Sequence, residues 1–177
     1  AIILEPEGRN TAPAITLATL AAQERQIDEE TVLLVLPSDH LIQNLEAFHV
    51  AVRQAVELAG RGLLVTFGVP AEAPETGYGY IRTGEPVGSG FAVSEFIEKP
   101  PLTKAKAYVE RGGFYWNSGM FVFSVAVLLQ ELAVHQADMF KQVSAAWNRR
   151  SSDHDFIRPD ASLFAASPAD SIDYAVM

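Results

Sequence analysis

The chain has 177 residues, of which 49% are hydrophobic and 20% charged, and this is the composition of an ordinary globular protein. Its formal net charge of −9 argues against a nucleic-acid partner, which would require a basic face. The sequence contains no cysteine, so disulfides and thiolate metal sites are excluded. No apolar run reaches the roughly 18–20 residues that cross a bilayer. We therefore expect a cytoplasmic protein without a membrane partner.

The first residues predict a short strand, a polar loop and a helix. Residues 2–4 are apolar, and the turn-rich sequence EPEGRNT follows them. Asn10 or Thr11 can cap the next helix, which we expect to continue to about Arg25. A loop that ends at a helix N-terminus can bind an anion, and Arg9 would add a fork of donors. A plain capped helix explains the same spacing at least as well.

A predicted strand over residues 32–36 ends where a functional group is expected. These five residues are all valine or leucine, which is typical of a strand covered on both faces. Pro37 removes a backbone donor and ends the strand, and Ser38 and Asp39 follow it. Ligands of open α/β sheets bind at the carboxyl ends of strands, and a carboxylate suits Mg²⁺ bound to substrate phosphates. From this stretch alone, a carboxylate that only caps or turns the loop explains Asp39 equally well.

The next segment predicts a helix and a second strand. Apolar residues recur at helical spacing over residues 45–56, two glycines end that helix, and residues 63–69 are again rich in β-formers. Strand, helix and strand within about 40 residues form a βαβ unit. This order predicts a doubly wound α/β domain with a parallel sheet and a right-handed crossover.

Residues 74–81, PETGYGYI, contain two glycines without matching the dinucleotide-binding fingerprint. Arg82 stands where the third glycine is required, and the segment does not open a helix. We expect these glycines to let the backbone approach a ligand closely, with Thr76 and Tyr78 offering hydroxyl groups.

A predicted hairpin leads to a Glu–Lys pair. Residues 80–83 and 93–97 predict paired strands joined by a turn at residues 85–90. Glu98 and Lys99 follow, with two prolines after them. Adjacent strand residues point to opposite faces, so both side chains reach one ligand only if the strand ends there. In isolation, a solvated surface pair is the more usual explanation.

Residues 114–123 place three aromatic residues before a polar turn and a buried strand after it. Asn117, in that turn, can bind a sugar hydroxyl or a phosphate, or can hold the turn through its own backbone. The rest of the chain predicts helices over residues 102–111, 125–132 and 139–147, a solvated charged loop over residues 149–160, and a helix that begins at residue 171.

Six pieces of the chain together resemble the bacterial mannose-1-phosphate guanylyltransferases. They are EPEGRNTAPAI, VLLVLPSDHLI, LVTFGVPAEAPETGYGYI, FIEKP, FYWNSGMFVF and SIDYAVM, and they occur in the family's order. The resemblance implies a nucleotide-diphospho-sugar transferase fold, which is an α/β fold with a Rossmann-like, mixed, mainly parallel sheet flanked by helices. It implies an enzyme that makes GDP-mannose and pyrophosphate from GTP and mannose 1-phosphate with Mg²⁺.

The resemblance also implies roles for individual residues. Asp39 would bind the metal near the nucleotide α-phosphate, and Lys99 would be a cation on the phosphate side. The nucleotide would be bound by Gly8, Arg9, Asn10, Thr11, Ala12 and Ser38. The sugar would be bound by Thr76, Gly77, Tyr78, Glu98 and Asn117.

Three features of the family are not matched in this chain. They are the Gly-rich phosphate loop on the first strand, a second metal-binding Asp after the counterpart of Met177, and the mannose-6-phosphate isomerase domain. We therefore interpret residues 1–177 as a partial nucleotidyltransferase domain, truncated at both ends. We expect this piece to be inactive alone and to form homo-oligomers. Two alternatives remain: another nucleotide-sugar pyrophosphorylase of the same fold, or a non-catalytic module that binds sugar nucleotides.

Overall fold

The computed structural model describes residues 1–25 and 31–176, which fall into two units. The first unit comprises Ala1–Thr31 and Ser124–Met177, and the second comprises Val32–Phe123. The prediction of one partial domain over residues 1–177 stays a prediction. No helix among the described residues has the length and apolar character needed to cross a membrane.

The first unit is mainly helical. Its helices are α1 (Thr11–Glu24), α4 (Val125–His135), α5 (Ala137–Asn148), α6 (Ala161–Ala165) and α7 (Ile172–Val176). Helix α1 packs against α4, α5 and α7, and α5 also packs against α6. The side chains between them are fully buried and include Leu17, Leu128, Leu132, Met139 and Val143. This core confirms the apolar spacing that predicted α1, α4 and α5.

A small sheet also belongs to the first unit. Strand β1 (Ile2–Ile3) pairs in parallel with β8 (Phe156–Arg158), which pairs antiparallel with β7 (Ser151–Asp153). The prediction of a solvated loop over residues 149–160 is therefore wrong in its secondary structure, although the segment is mostly exposed as expected. Strands β7 and β8 have three residues each and are mostly exposed, so they lack the long apolar alternation by which strands are predicted.

The second unit contains a five-stranded sheet and two helices. The strands are β2 (Val32–Val35), β3 (Val65–Pro70), β4 (Tyr80–Val87), β5 (Gly90–Ile97) and β6 (Phe114–Ser124). The sheet order is β2-β6-β4-β5, and β3 also pairs with β6. The helices are α2 (Leu45–Ala59) and α3 (Leu102–Arg111). The turn between β4 and β5 is tighter than predicted, because β4 continues to Val87.

The mixed α/β fold is confirmed, but the strand neighbours differ from the prediction. Strands β2 and β3 each pair with β6, so the predicted βαβ unit spans an intervening strand. The pairs β3–β6, β4–β5 and β4–β6 are antiparallel, and the parallel register among the described pairs is that of β1 with β8. The expectation of a mainly parallel sheet is therefore corrected. Local apolar patterns predict strands, whereas their neighbours depend on long-range pairing.

Both helices of the second unit pack on its sheet. Ala55 and Ala59 of α2 pack with Val122, and Ala105 of α3 packs with Tyr80 and Phe114. Strand β2 is less covered than predicted. Leu34 is 38% exposed and Leu36 is 45% exposed, so the apolar run does not mark a strand buried on both faces of this chain. The strand stands at one end of the sheet order, which explains the incomplete cover.

Candidate functional site

A glycine at position 79 allows a carboxylate to enter the end of the β4–β5 hairpin. The pair Tyr80↔Ile97 closes the register of the two strands, and Gly79 and Glu98 lie just beyond it. A Cβ atom at position 79 would lie only 2.7 Å from Glu98 Oε2. Glycine is therefore required for the observed position of Glu98, whose side chain is only 13% exposed.

Asn117 reaches the same place from β6. Its backbone N–H donates to the Gly79 carbonyl oxygen over 2.8 Å, and its Cβ would lie 3.4 Å from a Cβ at position 79. Glu98 and Asn117 thus flank Gly79 together. The predicted turn at Asn117 is instead part of β6, opposite a register shift between Thr66 and Gly68.

Lys99 completes this group, which we call the Gly79 site (Gly79, Glu98, Lys99 and Asn117). Strand β5 ends at Ile97, and Lys99 adopts a φ of 44°, which is uncommon for a residue with a side chain. Because the strand has ended, Lys99 Nζ lies 3.1 Å from Glu98 Oε1. The predicted condition for both residues to serve one ligand is met. The mostly buried Glu98 does not fit a plain surface pair.

The glycine-rich segment before β4 is anchored to the fold by hydrogen bonds and is mostly exposed to solvent. The Tyr80 hydroxyl is buried and donates to the Glu75 carbonyl oxygen over 2.9 Å. Thr76 and Gly77 are exposed, and a Cβ at position 77 would meet no atom within 4 Å. Tyr78 is 50% exposed, and its ring makes an edge contact with Trp116 at 5.5 Å between centroids. The segment is therefore accessible to a ligand.

The predicted metal residue Asp39 lies in an exposed turn after β2. Ser38 is exposed beside it. Pro37 Cγ would lie 3.8 Å from a Cβ at Gly119, which has a φ of 69° and follows Asn117 by two residues. The turn thus begins beside the segment of β6 that carries Asn117. The described residues contain no group of three or more His, Cys, Asp or Glu side chains that could hold a metal together.

The predicted nucleotide residues 8–12 lie in the first unit, and their donors are largely used within the fold. The Thr11 N–H donates to Asn10 Oδ1 over 2.8 Å, and the Ala12 N–H donates to the Asp170 carbonyl over 3.0 Å. The Thr11 hydroxyl accepts the Ile172 N–H over 2.9 Å. Pro13 has no N–H. The start of α1 therefore corresponds to the capped helix and not to an open anion site.

The guanidinium group of Arg9 is likewise used in hydrogen bonds within the fold. It donates to the Glu7 carboxylate and to the Ala165 carbonyl at the end of α6. Gly8 is exposed, whereas Ala12 is fully buried, so Ala12 offers a ligand no side-chain surface. Partial burial raises the pKa of the Glu5 carboxyl in the same loop.

Asn10 has the most unusual backbone of that loop. Its φ of 67° and ψ of −171° fall in a region that is essentially restricted to glycine. The surrounding contacts of Thr11, Ala12 and Arg9 hold it there. Strain of this kind persists where the fold determines the conformation from several sides.

The sequence did not single out Thr66, and it predicted Gly79 only as one of two glycines that let the backbone approach a ligand, not as the position that makes room for Glu98. The Thr66 hydroxyl donates to Asn117 Oδ1 over 2.7 Å, and it also lines a cavity of about 240 Å³ with Tyr115. Tyr115 and Asn117 are two residues apart on β6, so the cavity shares their face of the sheet. A glycine one residue before a strand is a detectable signal, but the role of Thr66 depends on a contact across 51 residues.

A family model and several curated relatives match this chain. The family model for nucleotidyl transferase matches residues 1–162. The mannose-1-phosphate guanylyltransferase ManC of Salmonella typhimurium is 51% identical over 181 residues, with 99% of this chain and 38% of the relative covered. The xanthan biosynthesis protein XanB of Xanthomonas campestris is 52% identical over 178 residues, with 100% and 37% covered. The chain thus spans less than two fifths of these relatives.

Two solved structures share the fold. The crystal structure of mannose-6-phosphate isomerase from Helicobacter pylori matches with a TM-score of 0.88 and 40% identity, covering 99% of this chain and 66% of that one. The structure named mannose-1-phosphate geranyltransferase from Thermus thermophilus matches with a TM-score of 0.84 and 33% identity, covering 98% and 48%. The family model covers most of the chain and both structures share its α/β fold, so the chain belongs to the nucleotidyl transferase family.

Proposed function

We propose that this chain serves the transfer of a guanylyl group from GTP to mannose 1-phosphate, which forms GDP-mannose and pyrophosphate. The observation that carries the proposal is the convergence of Glu98 and Asn117 on Gly79, with Lys99 beside them. The names of the relatives supply the hexose and the base.

The Gly79 site has the chemistry of a sugar-phosphate site. A carboxylate accepts hydrogen bonds, whereas an amide such as that of Asn117 also carries an NH₂ donor, and sugar hydroxyl groups require both kinds of partner. Lys99 is 64% exposed, so its ammonium group can leave Glu98 for a phosphate at small cost. We assign Glu98 and Asn117 to the hexose and Lys99 to its phosphate. Thr76, Gly77 and Tyr78 would close over the sugar from the open segment.

The transfer itself needs little covalent chemistry from the protein. A phosphate oxygen of mannose 1-phosphate attacks the α-phosphorus of GTP in line, the new P–O bond forms, and pyrophosphate leaves. The two anionic substrates repel each other, so catalysis consists mainly of positioning and of charge neutralisation. Lys99 supplies one positive charge next to the attacking phosphate.

Asp39 fits Mg²⁺ as a single protein ligand. It is an exposed, hard oxygen donor at the end of a strand, and Mg²⁺ typically takes one or two carboxylates together with substrate phosphates and water. When bound, the ion would neutralise charge on the phosphates. Ser38 lies beside Asp39 and would contact the nucleotide.

On the nucleotide side, we propose that Gly8, Arg9, Asn10 and Thr11 act mainly through the shape of their loop. Their committed hydrogen bonds hold a defined surface, and Gly8 leaves its backbone open, since nothing lies within 4 Å of its Cβ position. Ala12 would support this surface from inside the fold.

The proposal is tested by calorimetry and by a chimera. Calorimetry on this chain uses mannose 1-phosphate, glucose 1-phosphate, GTP and UTP, each with and without Mg²⁺. In the chimera, the chain replaces the aligned segment of Salmonella ManC, and pyrophosphate release is measured. We expect the chimera to prefer mannose 1-phosphate and GTP, and the chain alone to show no turnover. A preference for another base or hexose would favour a different pyrophosphorylase of the fold. If the chain binds these ligands but the chimera shows no turnover, a non-catalytic module would be favoured.

We also propose that the chain is cytoplasmic and self-associates through β2. Leu34 on β2 and Leu36 just after it are exposed, β2 stands at the end of the sheet order, and exposed apolar edge strands favour pairing with another chain. Light scattering should show a dimer or larger species. Leu34→Lys should shift it toward the monomer, whereas a parent chain that is monomeric at high concentration would exclude the proposal.

A further inference from the structure

Trp116 carries a hydrogen-bond donor that is buried without an acceptor. Its side chain packs against the cluster formed by Tyr80, Ala105 and Phe114. The indole Nε1 atom is buried, and the part of the chain that the structure describes offers it no hydrogen-bond partner. Folded proteins rarely leave such a donor unpaired, because it has lost its water and gained no partner. An acceptor that arrives with a second conformation removes this cost.

The other tryptophan of the chain shows the usual arrangement. Trp147 lies on α5 and is 3% exposed, and its Nε1–H donates to Glu24 Oε1 over 2.9 Å. The two indoles therefore form a matched pair. Both N–H groups are covered by the fold, but only that of Trp147 has an acceptor.

Residues 76–78 are exposed and lie between two anchored ends. On one side, the Glu75 carbonyl oxygen accepts the Tyr80 hydroxyl over 2.9 Å. On the other side, the Gly79 carbonyl oxygen accepts the Asn117 backbone N–H over 2.8 Å. No atom lies within 4 Å of a Cβ position on the middle residue of the segment, so the fold does not confine it there.

This segment lies against Trp116. Both anchoring groups belong to neighbours of Trp116, since Tyr80 is its register partner on β4 and Asn117 follows it on β6. The Tyr78 ring meets the Trp116 ring edge-on, with 5.5 Å between centroids, and Tyr78 is 50% exposed. Movement of the segment between its anchors therefore changes what the indole contacts.

We infer that Trp116 is a positioning residue for the sugar side of the Gly79 site: when residues 76–78 close over the hexose, a backbone carbonyl of this segment accepts the Trp116 N–H and holds the segment closed. The inference rests on the proposed function, which places this segment over the sugar. The free chain has an unpaired donor, and the ligand-bound chain has a hydrogen bond. The indole N–H thus adds to the affinity for the sugar phosphate and nothing to the stability of the free chain.

The first test follows the indole N–H groups in an NMR spectrum of this chain. The chain has two tryptophans, so the spectrum contains two indole signals, and Trp116→Phe assigns them by the loss of one. Addition of mannose 1-phosphate should move the Trp116 signal downfield, as expected for a proton that enters a hydrogen bond. The Trp147 signal should stay in place. A Trp116 signal that does not move when the ligand saturates the chain would overturn the inference.

The second test compares Trp116→Phe with Trp147→Phe in the chimera. Phenylalanine keeps a ring against Tyr78 but has no N–H. Trp116→Phe should raise KM for mannose 1-phosphate about three- to tenfold, which is what one neutral hydrogen bond is worth, and leave KM for GTP unchanged. Trp147→Phe is the control and should leave both KM values unchanged.

Thermal melts of the chain carrying the same two substitutions give a third readout. Both substitutions remove the same atoms from a packed side chain, but only Trp147→Phe breaks a hydrogen bond, to Glu24. Trp147→Phe should therefore lower the Tm more than Trp116→Phe. Equal losses of Tm would show that the Trp116 N–H already has a partner in the free chain, such as a buried water, and would overturn the inference.

The outcomes separate this inference from the proposed function. An unchanged KM for mannose 1-phosphate in an active Trp116→Phe chimera would overturn the role of Trp116 while the function stands. Equal rises of KM for both substrates would also overturn it, because they do not single out the sugar side. A parent chimera without transfer activity would count against the proposed function, and the thermal melts would then decide whether the Trp116 N–H is unpaired.

Discussion

The Gly79 site and the N-terminal loop over residues 7–12 are built from equally polar residues, but they use them differently. In the Gly79 site, the ends of β4 and β5 and the backbone of β6 fix the positions of the residues, and the carboxylate and amide groups converge on a glycine. In the loop, Arg9, Asn10 and Thr11 direct their hydrogen bonds to the fold itself, including the Ala165 carbonyl and the Ile172 N–H. The first arrangement leaves side-chain chemistry for a ligand, and the second maintains a shape.

Because of this difference, we expect mutations in the two regions to have opposite effects on ligand binding and on stability. A β-ladder satisfies the backbone without the side chains, so a side-chain change in the Gly79 site should alter binding more than stability. An irregular loop needs side chains to satisfy and position its backbone, so a change there should alter stability first. Substitutions at four positions can break or sharpen the comparison.

The largest effect is expected at Asp39, which lies exposed after β2. Asp39→Asn in the chimera should lower turnover by at least about a hundredfold, since metal-assisted charge stabilisation is worth several kcal/mol. The unfolding free energy should change by no more than about 0.5 kcal/mol, as is usual for surface positions. A titration with Mg²⁺ and a thermal melt measure both. Normal turnover in the variant would remove Asp39 from the metal site.

Glu98→Gln should follow, with a ten- to hundredfold weaker binding of mannose 1-phosphate. The estimate corresponds to about 1.5–3 kcal/mol for hydrogen bonds to a charged group. Calorimetry should show GTP binding close to that of the parent. If GTP binding falls equally, Glu98 supports the fold and does not contact the sugar. The Gly79 site would then not differ from the N-terminal loop in the way proposed.

Gly79→Ala should act through Glu98. The added Cβ would lie 2.7 Å from Glu98 Oε2, which is the end of a flexible side chain, so the carboxylate moves and the fold adjusts. We expect about tenfold weaker sugar binding and a loss of at most about 1 kcal/mol of stability. Gly77→Ala is the stability control, because its Cβ would meet no atom within 4 Å. A double-mutant cycle with Glu98→Gln should be non-additive; additive losses would mean that the two positions act separately.

The smallest effect is expected at Asn10, and it concerns stability. Asn10→Ala loses the cap to the Thr11 N–H and keeps a side chain in a glycine-like conformation, which should cost about 1–2 kcal/mol. Asn10→Gly loses the cap but relieves the strain, so its Tm should equal or exceed that of the parent. Thermal melts of the three chains decide this. A lower Tm for glycine than for alanine would show that the backbone of Asn10 is not strained.

Much of the local structure follows from short-range patterns. Asn10 caps α1, Gly112 ends α3 after Arg111, and β5 ends at Ile97, shortly before the two prolines that follow Lys99, as expected from propensity and capping. The resemblance of six pieces to one family was also available in the sequence, and the nucleotidyl transferase family is confirmed over residues 1–162. These features depend on residues within one helical turn or on ordered motifs, which a single sequence contains.

The tertiary structure alone decided which strands are neighbours and which polar groups meet. Strand β6 lies between β2 and β3, although neither is near it in sequence. Glu98 and Asn117 converge because antiparallel registers bring three strands to Gly79, and Thr66 reaches Asn117 across 51 residues. The same structure showed that the Ala12 N–H donates to the Asp170 carbonyl oxygen and that the Thr11 hydroxyl accepts the Ile172 N–H. Periodicity specifies how one segment folds, whereas pairing across the chain is set by packing and hydrogen bonding that no local window contains.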